Sequence, residues 1–375
     1  MIEFTDKGLY CPAGDFYIDP WRPVARAVIT HAHSDHARAG SVAYLCHRLT
    51  VPLLSLRLGP GSYEGVEWNQ PVFLNGVRVS LHPAGHIVGS SQVRVEHQGR
   101  VWVVSGDYKT EDDGLSGAFD PLRCQVFVTE STFGLPVYHW KSQEAIFSGI
   151  RDWVRENRET GETSVLIAYS LGKAQRLLRC LAPLGLKVFV HGAIANIHEV
   201  LTGAGVVLPP VIRVTPDMPA KEFRGEVVIA PPGAEGSPWI RRFQPFATGI
   251  CSGWMQVRGN VRRRNADAGF ALSDHADWQG LLQAIRATAA EKVYVTHGFQ
   301  ATLARYLNEQ GIAAAEVTTE YGEDEDAGTD KIAEVVLDER DAEKGSANVA
   351  AGAADATTGG NAPTGGREDA GDGNN

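Results

Sequence analysis

The fold is decided by the stretch Thr30-His31-Ala32-His33-Ser34-Asp35-His36, which follows the mostly apolar run Ala25-Arg26-Ala27-Val28-Ile29. Three imidazoles and one carboxylate fall within six residues, and each group is a preferred ligand of zinc or manganese. Because side chains alternate along an extended segment, His31 and His33 share one side, whereas Asp35 and His36 belong to the turn that follows. The alternative is a histidine-rich surface turn, but such a turn rarely carries an aspartate in register after a buried strand. The string can supply two metal ions, and the rest of the chain must contribute further ligands to close a site.

Length and charge set the outer limits of the interpretation. The 375 residues allow two domains, or one domain with a large insertion, and 43% hydrophobic residues suffice for a sizeable core. The net charge of −10 resides in residues 323–375, which hold 14 acidic and 4 basic residues, while residues 1–322 hold 31 of each sign. The acidity therefore does not argue against a polyanionic substrate for residues 1–322. Residues 340–375 are rich in Gly, Ala, Asp, Asn and Thr, which predicts a disordered tail.

The sequence shows none of the signals of export or membrane insertion. We find no run of about 18 apolar residues, and the first six residues lack a basic-then-apolar pattern. The cysteines are scattered and odd in number, without a Cys-x-x-Cys pair: Cys11, Cys46, Cys124, Cys180 and Cys251. We therefore expect a cytoplasmic protein with buried free thiols and no membrane partner.

Two carboxylates follow predicted buried strands. The apolar run at residues 101–104 stops at Ser105-Gly106-Asp107, and the run at residues 126–129 ends in the same way at Glu130. Enzymes of the α/β class place their chemistry at such strand ends. Upstream, residues 1–20 predict a hairpin, and residues 25–30, 72–82 and 91–96 predict strands.

From about residue 143 the pattern changes to alternating helices and strands. The predicted helices span residues 144–156 and 172–181, and the predicted strands span residues 164–168, 187–190 and 226–230. This alternation is typical of a small parallel α/β unit over roughly residues 140–260. A helix at 277–288, a strand at 292–296 and a helix at 301–310 follow. We therefore expect the chain to leave a first domain, build a second and return.

Three further histidines are candidates for the metal site. His86 lies in the glycine-punctuated loop Pro83-Ala84-Gly85-His86-Ile87-Val88-Gly89-Ser90, and we favour it over His82, which falls within the preceding strand. His297 ends a predicted strand, as does His191, and the two cannot be ranked locally. We favour His297 because it lies where the chain has rejoined the first domain. His275 could be a ligand, a general acid or a helix-capping residue, and Asp107 could also be a helix N-cap.

With these motifs in place, the chain resembles the metallo-β-lactamase fold nucleases that carry a β-CASP insertion, over residues 1 to about 315. The His-x-His-x-Asp-His signature of that family matches His31, His33, Asp35 and His36. Its later motifs match, in order, His86, Asp107, Glu130 in Glu-Ser-Thr-Phe-Gly, His275 in Ser273-Asp274-His275-Ala276-Asp277, and His297. The start of the predicted helix, Tyr169-Ser170-Leu171-Gly172-Lys173-Ala174-Gln175, resembles the opening of the insertion in cleavage-and-polyadenylation nucleases.

The resemblance implies a fold, a metal centre and a set of roles. One metal ion would take His31, His33 and His86, and a second would take Asp35, His36 and His297, with Asp107 and a water between them. The ions are expected to be zinc, with manganese as the alternative, and to promote hydrolysis of a phosphodiester. His275 would contact the scissile phosphate and assist the leaving group, and Glu130 would orient it. The candidate catalytic residues are therefore Asp35, His275 and Glu130, while Asp19 would support the ligand loop without touching a metal.

The implied fold is an αββα metallo-β-lactamase sandwich with an inserted β-CASP α/β domain and a disordered C-terminal tail. The predicted divisions are residues 1–139, the insertion at 140–262, the return segment at 263–321 and the tail at 322–375. The candidate substrate-binding residues are Ser273, His275, Arg262, Arg263 and Arg264, although the arginines could also form a solvated basic turn. Trp254 and Phe270 lie nearby in sequence and could stack on bases.

The resemblance leaves the substrate open between two nucleic acids. A histidine at the position of His297 is common among the RNA-processing members, which favours RNA. The compact chain and its arginine cluster are most similar to the bacterial exonucleases associated with ATP-dependent DNA ligases, which favours DNA. We predict a DNA exonuclease that acts in repair alongside a DNA ligase, with RNA 3′-end processing as the alternative. A small-molecule ester hydrolase of the same fold is less well supported, because it would not need the inserted domain.

Overall fold

The computed structural model describes residues 1–257 and 266–321. Arg262, Arg263 and Arg264 and the tail predicted at residues 322–375 lie outside these ranges. The described residues form three β-sheets with helices packed on their faces.

The first sheet is built by the N-terminal residues. Its strands, in spatial order, are β1 (Glu3–Thr5), β2 (Gly8–Cys11), β3 (Phe16–Ile18), β4 (Arg26–Val28), β5 (Ala43–His47) and β6 (Ser62–Val66). Strands β1 to β3 are antiparallel, so the hairpin predicted over residues 1–20 is a three-stranded meander. The pairs from β3 to β6 are parallel, and helix α1 (Val51–Leu58) connects β5 to β6. The histidine-rich loop follows strand β4.

The next strands begin the second sheet. They are β7 (Pro71–Leu74), β8 (Val77–Pro83), β9 (Ser91–His97), β10 (Arg100–Val104) and β11 (Val126–Ser131). The single strand predicted over residues 72–82 is wrong, because β7 and β8 form an antiparallel hairpin. Its turn contains Asn75 and Gly76, whose φ angles are +47° and +82°. Asn-Gly is a strong signal for a two-residue hairpin turn, since both positions require a positive φ.

The third sheet and its helices lie between β11 and the return of the chain. The strands are β12 (Thr163–Ile167), β13 (Val188–Val190), β14 (Ile212–Arg213), β15 (Val227–Ala230), β16 (Phe246–Cys251) and β17 (Ala268–Phe270). They are all parallel, in the order β14-β13-β15-β12-β16-β17. The helices are α2 (Gln143–Thr160), α3 (Lys173–Leu181), α4 (Gly192–Gly203) and α5 (Pro238–Arg241). The inserted α/β unit is therefore a parallel sheet with helices, as predicted.

The chain then returns to the second sheet. Helix α6 (Trp278–Thr288) precedes β18 (Lys292–Gly298), which is followed by α7 (Gln300–Glu309) and β19 (Ala314–Glu316). Strand β18 pairs in parallel with β11, so the two strands that flank the third sheet in the sequence are neighbours. The complete order of the second sheet is β19-β18-β11-β10-β9-β8-β7. This pairing brings Glu130, near the end of β11, close to His297, near the end of β18.

Packing of the first two sheets makes an αββα sandwich. The buried cluster between them takes Leu9, Phe16, Ile18, Val28 and Leu45 from the first sheet and Val79, Leu81, Val93, Val95 and Val104 from the second. Helices α6 and α7 cover the outer face of the second sheet, and α1 and α4 cover that of the first. The predicted fold class is confirmed. The exact domain boundaries stay predictions.

All five cysteines are buried and free, as expected. Within the described ranges, no helix has the length and apolarity required to cross a lipid bilayer.

Candidate metal centre

The histidine-rich loop, residues 30–36, directly follows β4. His31, His33 and His36 are all buried, with 0%, 6% and 1% of their surfaces exposed. The turn closes with a hydrogen bond from the Ala37 amide to the His33 carbonyl. Burial of so many polar side chains in one loop is costly unless each has a partner. The loop therefore needs the groups that converge on it from the rest of the chain.

The first group of side chains comprises His31, His33, His86 and Asp107, whose ligand atoms lie within 4.8 Å of one another. Nδ1 of His33 and Nε2 of His86 are 3.0 Å apart, as expected for two nitrogens that face one cation. Gly85 allows the loop to approach this closely, because its φ is +75° and a Cβ there would lie 2.4 Å from the Lys109 carbonyl oxygen. The competing His82 is absent from this group, and its ring bonds to Ser80 instead.

The second group of side chains comprises His36, Asp107 and His297, whose ligand atoms also lie within 4.8 Å of one another. Asp35 lies outside this cluster, but its Oδ2 is 3.5 Å from Nε2 of His36. Nε2 of His297 is brought to the same place by the pairing of β18 with β11. The alternative His191 accepts a hydrogen bond at the start of α4 and packs against Trp239, 4.9 Å away.

Asp107 lies between the two groups, and its carboxylate oxygens are divided between them. Oδ2 lies 3.4 Å from Nε2 of His31 and 3.7 Å from Nε2 of His86. Oδ1 lies 3.4 Å from Nε2 of His36 and 3.0 Å from Nε2 of His297. One carboxylate thus faces two sets of imidazoles, which is the arrangement of a bridging ligand.

The donor set fits metal ions on two observations. Among the described residues, Nε2 of His31, Nε2 of His36, Oδ1 of Asp35 and Oδ1 of Asp107 are buried without a hydrogen-bond partner. Buried polar atoms are normally satisfied, so four such atoms in one place fit a role as metal ligands. In addition, burial holds the pKa of His31 and of His86 well below the usual value, which keeps both rings neutral, as metal ligands must be. For His36 and His297 the Asp107 carboxylate outweighs burial and raises the pKa instead. The pKa of Asp107 is lowered despite its burial, because His36, His297 and His31 surround it.

Asp19 holds the loop from behind. It is buried, and its carboxylate accepts hydrogen bonds from the Thr30 amide (2.7 Å) and from the Thr30 hydroxyl. Its other close partner is Nδ1 of His36, at 2.8 Å. Because Nδ1 donates to Asp19, Nε2 of His36 is left free to face the site. These contacts fit the supporting role predicted for Asp19, which stays a prediction.

Two other imidazoles are held by backbone carbonyls from the inserted unit and the return segment. Nδ1 of His86 lies 2.8 Å from the Asp274 carbonyl oxygen, and Nε2 of His33 lies 3.2 Å from the Leu171 carbonyl oxygen. The Asp274 side chain is fully buried and is bound by Arg176 and by Lys173, whose Nζ lies 3.4 Å away. These two cations hold the pKa of Asp274 well below its usual range against the opposing effect of burial.

His275 lies beside the metal ligands and is paired with Glu130. Nδ1 of His275 is 3.0 Å from each carboxylate oxygen of Glu130, which also accepts from the Tyr108 amide at 2.8 Å. Burial disfavours the charged ring, but the attraction of Glu130 and its hydrogen bond outweigh it and raise the pKa of His275 to about 10. The side chain of His275 is 14% exposed, so its free edge can reach a substrate.

Of the remaining residues predicted to contact substrate, Ser273 and Trp254 lie near His275, whereas Phe270 packs elsewhere. The Ser273 hydroxyl accepts from the His275 amide (3.0 Å), so it shapes the loop that carries His275. Half-buried Trp254 packs 4.9 Å from Phe133, which in turn contacts the ring of His275. Phe270 instead packs against Trp153 of α2. The three predicted arginines lie outside the described residues.

Comparisons with known proteins identify relatives. A protein from Opitutus terrae named probable DNA ligase is 33% identical over 316 residues, which are 84% of this chain and 30% of the relative. RNase aCSPSF2 from Saccharolobus solfataricus is 27% identical over 47% of this chain and 42% of its own. A crystal structure of an Enterococcus faecalis protein of unknown function superposes with a TM-score of 0.57 at 13% identity, over 79% of this chain and 80% of that one. No protein-family model matches.

The chain belongs to the β-CASP family of metallo-β-lactamase fold nucleases. The predicted family is thereby confirmed. The chain spans less than half the length of the curated relatives named above. Relative to the β-CASP motifs, our sequence reasoning missed the structural partners Arg176, Lys173 and the carbonyl groups of Leu171 and Asp274. Lys173 and Arg176 lie at the start of a predicted helix, and only their unusual burial identifies them.

Proposed function

We propose that the protein is a two-metal phosphodiester hydrolase acting on nucleic acid, and that its substrate is DNA. The observation that carries the proposal is the division of the Asp107 carboxylate between two imidazole sets. A single-metal site would need one such set, whereas here each oxygen of one carboxylate faces its own pair of imidazole nitrogens. We assign zinc to the site because imidazoles, which suit zinc, outnumber carboxylates among the proposed ligands; the carboxylates make manganese the alternative.

The ligands divide into two sets in this proposal. One ion would be held by His31, His33 and His86, the other by Asp35, His36 and His297, and both by Asp107. When bound, the ions would activate water and stabilise charge on the phosphate oxygens.

The other residues act on the substrate and the leaving group. With its pKa raised, His275 carries a proton at neutral pH and can donate it from its free edge to the departing oxygen. Glu130 fixes the ring through Nδ1 and stabilises its charge. Both side chains lie near Asp107, within the same 4.8 Å cluster of ligand atoms, so a phosphate held at the proposed metal centre would lie within reach of the proton donor.

DNA is favoured over RNA by the relative named probable DNA ligase, which matches over most of this chain. We propose further that the protein acts as an exonuclease in repair, in the cytoplasm and in one pathway with an ATP-dependent DNA ligase; the name of that relative supports the link to a ligase. RNA processing is the second candidate. It is supported by the relative named RNase aCSPSF2 and by the presence of His297 in the second ligand set.

The test is a gel assay of the full chain with zinc or manganese on matched single-stranded DNA and RNA labelled at either end. Stepwise shortening of DNA is expected, and the surviving label gives the polarity. Asp107→Ala should abolish hydrolysis, whereas Asp112→Ala, at an exposed position in the same loop, should retain it. Preferential cleavage of RNA would select the second candidate. Full activity of Asp107→Ala would refute the bridging assignment.

A further inference from the structure

The last described residues return to the metal centre. After β19, the Val317 amide donates to the Val295 carbonyl of β18, which keeps the segment beside the strand that carries His297. The carboxylate of Glu320 then receives two hydrogen bonds from Arg22, at 2.6 and 2.7 Å. Arg38 donates to the Glu320 carbonyl oxygen at 2.6 Å. The chain is therefore anchored on both sides of the histidine-rich loop just before Tyr321.

Tyr321 inserts its ring against the second ligand set. The ring is stacked on His36, with centroids 4.5 Å apart and planes inclined by 11°. It also meets His297 edge-on, at 5.5 Å and 77°. Its hydroxyl donates to the Asp19 carbonyl oxygen (3.3 Å), and Trp21 packs edge-on against its far side. With only 9% of its surface exposed, Tyr321 is a buried part of the site.

The imidazoles of both sets are held by single supporting hydrogen bonds, and the second set also has the ring of Tyr321 packed against it. Backbone carbonyls of Leu171 and Asp274 bind the rings of His33 and His86 in the first set. In the second set, Asp19 binds one nitrogen of His36 and the Thr296 hydroxyl lies 3.0 Å from Nδ1 of His297, but a ring held at one point can still tilt about it. An aromatic ring stacked on its face removes that freedom, and the same tyrosine limits the movement of His297.

We propose that Tyr321 is a positioning residue for the second metal ion, and that it holds His36 and His297 in the orientation in which they bind. This inference rests on the proposed two-metal function and deepens it, because it predicts that Tyr321 supports the binding of only one of the two ions. Loss of the ring should weaken the binding of the second ion on the order of tenfold and leave the affinity for the first ion unchanged, by analogy with other groups that orient metal ligands. Phenylalanine keeps the stacked ring and loses only the hydroxyl, so it should preserve binding.

The experiment measures zinc directly on the full chain. Wild type, Tyr321→Ala, Tyr321→Phe and Tyr321→Leu are loaded with zinc, the bound metal is counted by mass spectrometry, and release is followed by titration with a chromogenic chelator. Tyr10→Ala is the matched control, because it removes a tyrosine stacked at 4.5 Å on Tyr17 in the first sheet. Circular dichroism verifies that each variant is folded, and Tyr321→Leu replaces Tyr321→Ala if the smaller side chain prevents folding.

The expected result is two zinc ions per wild-type chain, one of which is released about tenfold more readily in Tyr321→Ala or Tyr321→Leu. Tyr321→Phe and Tyr10→Ala should release both ions as the wild type does. Wild-type release from Tyr321→Ala, or an equal loosening of both ions, would overturn the positioning role while leaving the two-metal function intact. A wild-type chain that binds one zinc or none would instead overturn the two-metal function, and the role of Tyr321 with it.

Discussion

Replacement of Arg176 by methionine should remove the ion pair with Asp274 that joins the inserted unit to the loop of His275. Arg176 lies in α3 and is 3% exposed. One terminal nitrogen donates to the Ser273 carbonyl oxygen (2.6 Å) and to the Asp274 carboxylate, and the other guanidinium nitrogens bond to Gln143. Methionine has a similar length but provides neither the charge nor these donors.

The magnitude follows from what remains around Asp274. Without Arg176 the fully buried carboxylate keeps Lys173 as an ion-pair partner, with Nζ at 3.4 Å. Removing one partner of a buried ion pair typically costs about 3–5 kcal/mol, because a charge is left uncompensated. Since Lys173 stays, we expect the lower end, about 3 kcal/mol. The Asp274 carbonyl also orients His86, so metal affinity should fall by about 10- to 100-fold.

Urea unfolding of the zinc-loaded protein measures the first effect, and chelator titration measures the second. Arg179→Met is the control, because Arg179 lies one turn later on the same helix, is exposed and donates one hydrogen bond to the Asp113 carbonyl. We expect a change in this control of less than about 0.5 kcal/mol. An Arg176→Met protein with the unfolding free energy and metal affinity of the wild type would refute the view that this ion pair supports the site.

Three other changes test separate parts of the site. Glu130→Gln should lower the hydrolysis rate by about 10²–10⁴ and leave the metal content unchanged. The substitution also removes the attraction that raises the pKa of His275 to about 10. In a pH–rate profile, the variant should therefore lose activity at a lower pH than the wild type. Asp19→Asn places an amide where a carboxylate accepts from His36, and chelator titration should show about 10- to 100-fold weaker zinc binding, with wild-type affinity as the contrary result. Removal of residues 323–375 should leave the rate in the gel assay unchanged, and a folded but inactive truncation would contradict our interpretation of that segment.

The fold was predictable where a pattern is local. Strand ends at Asp107 and Glu130 could be read from short apolar runs, and the alternation after residue 143 indicated a parallel sheet. Helix α4 was not predicted, because it is buried on two sides: Ile194 packs in the core of the third sheet, whereas Leu201 packs with α1. A helix with apolar contacts on two sides keeps only a narrow polar face, here Asn196, Glu199 and Thr202, so its helical periodicity is weak.

The site, like the fold, was predictable only where the signal in the sequence is local. The ligand candidates could be named because imidazoles and carboxylates are chemically distinctive and lie beside strand ends, where the structure clusters all of them except Asp35. Their partners could not be named, because two of them are backbone carbonyls, at Leu171 and Asp274, and any residue carries a carbonyl. Tyr321 had no signal either, since a single tyrosine before an acidic segment is an unremarkable feature of a sequence.

This difference has a consequence for how the site is assembled. The imidazoles of His33 and His86 lie in the N-terminal part of the chain, but their hydrogen-bond acceptors lie 138 and 188 residues away. Isolated ligand loops would therefore hold the rings in several orientations, and part of the energy of metal binding would be spent on ordering them. Because the Arg176–Asp274 ion pair joins α3 to the loop of His275, the inserted unit supports both an acceptor of the first ligand set and the loop of the proposed proton donor. The inserted unit is thus a structural component of the proposed metal centre, and variants of Arg176 and Lys173 should alter metal affinity although neither belongs to a ligand set.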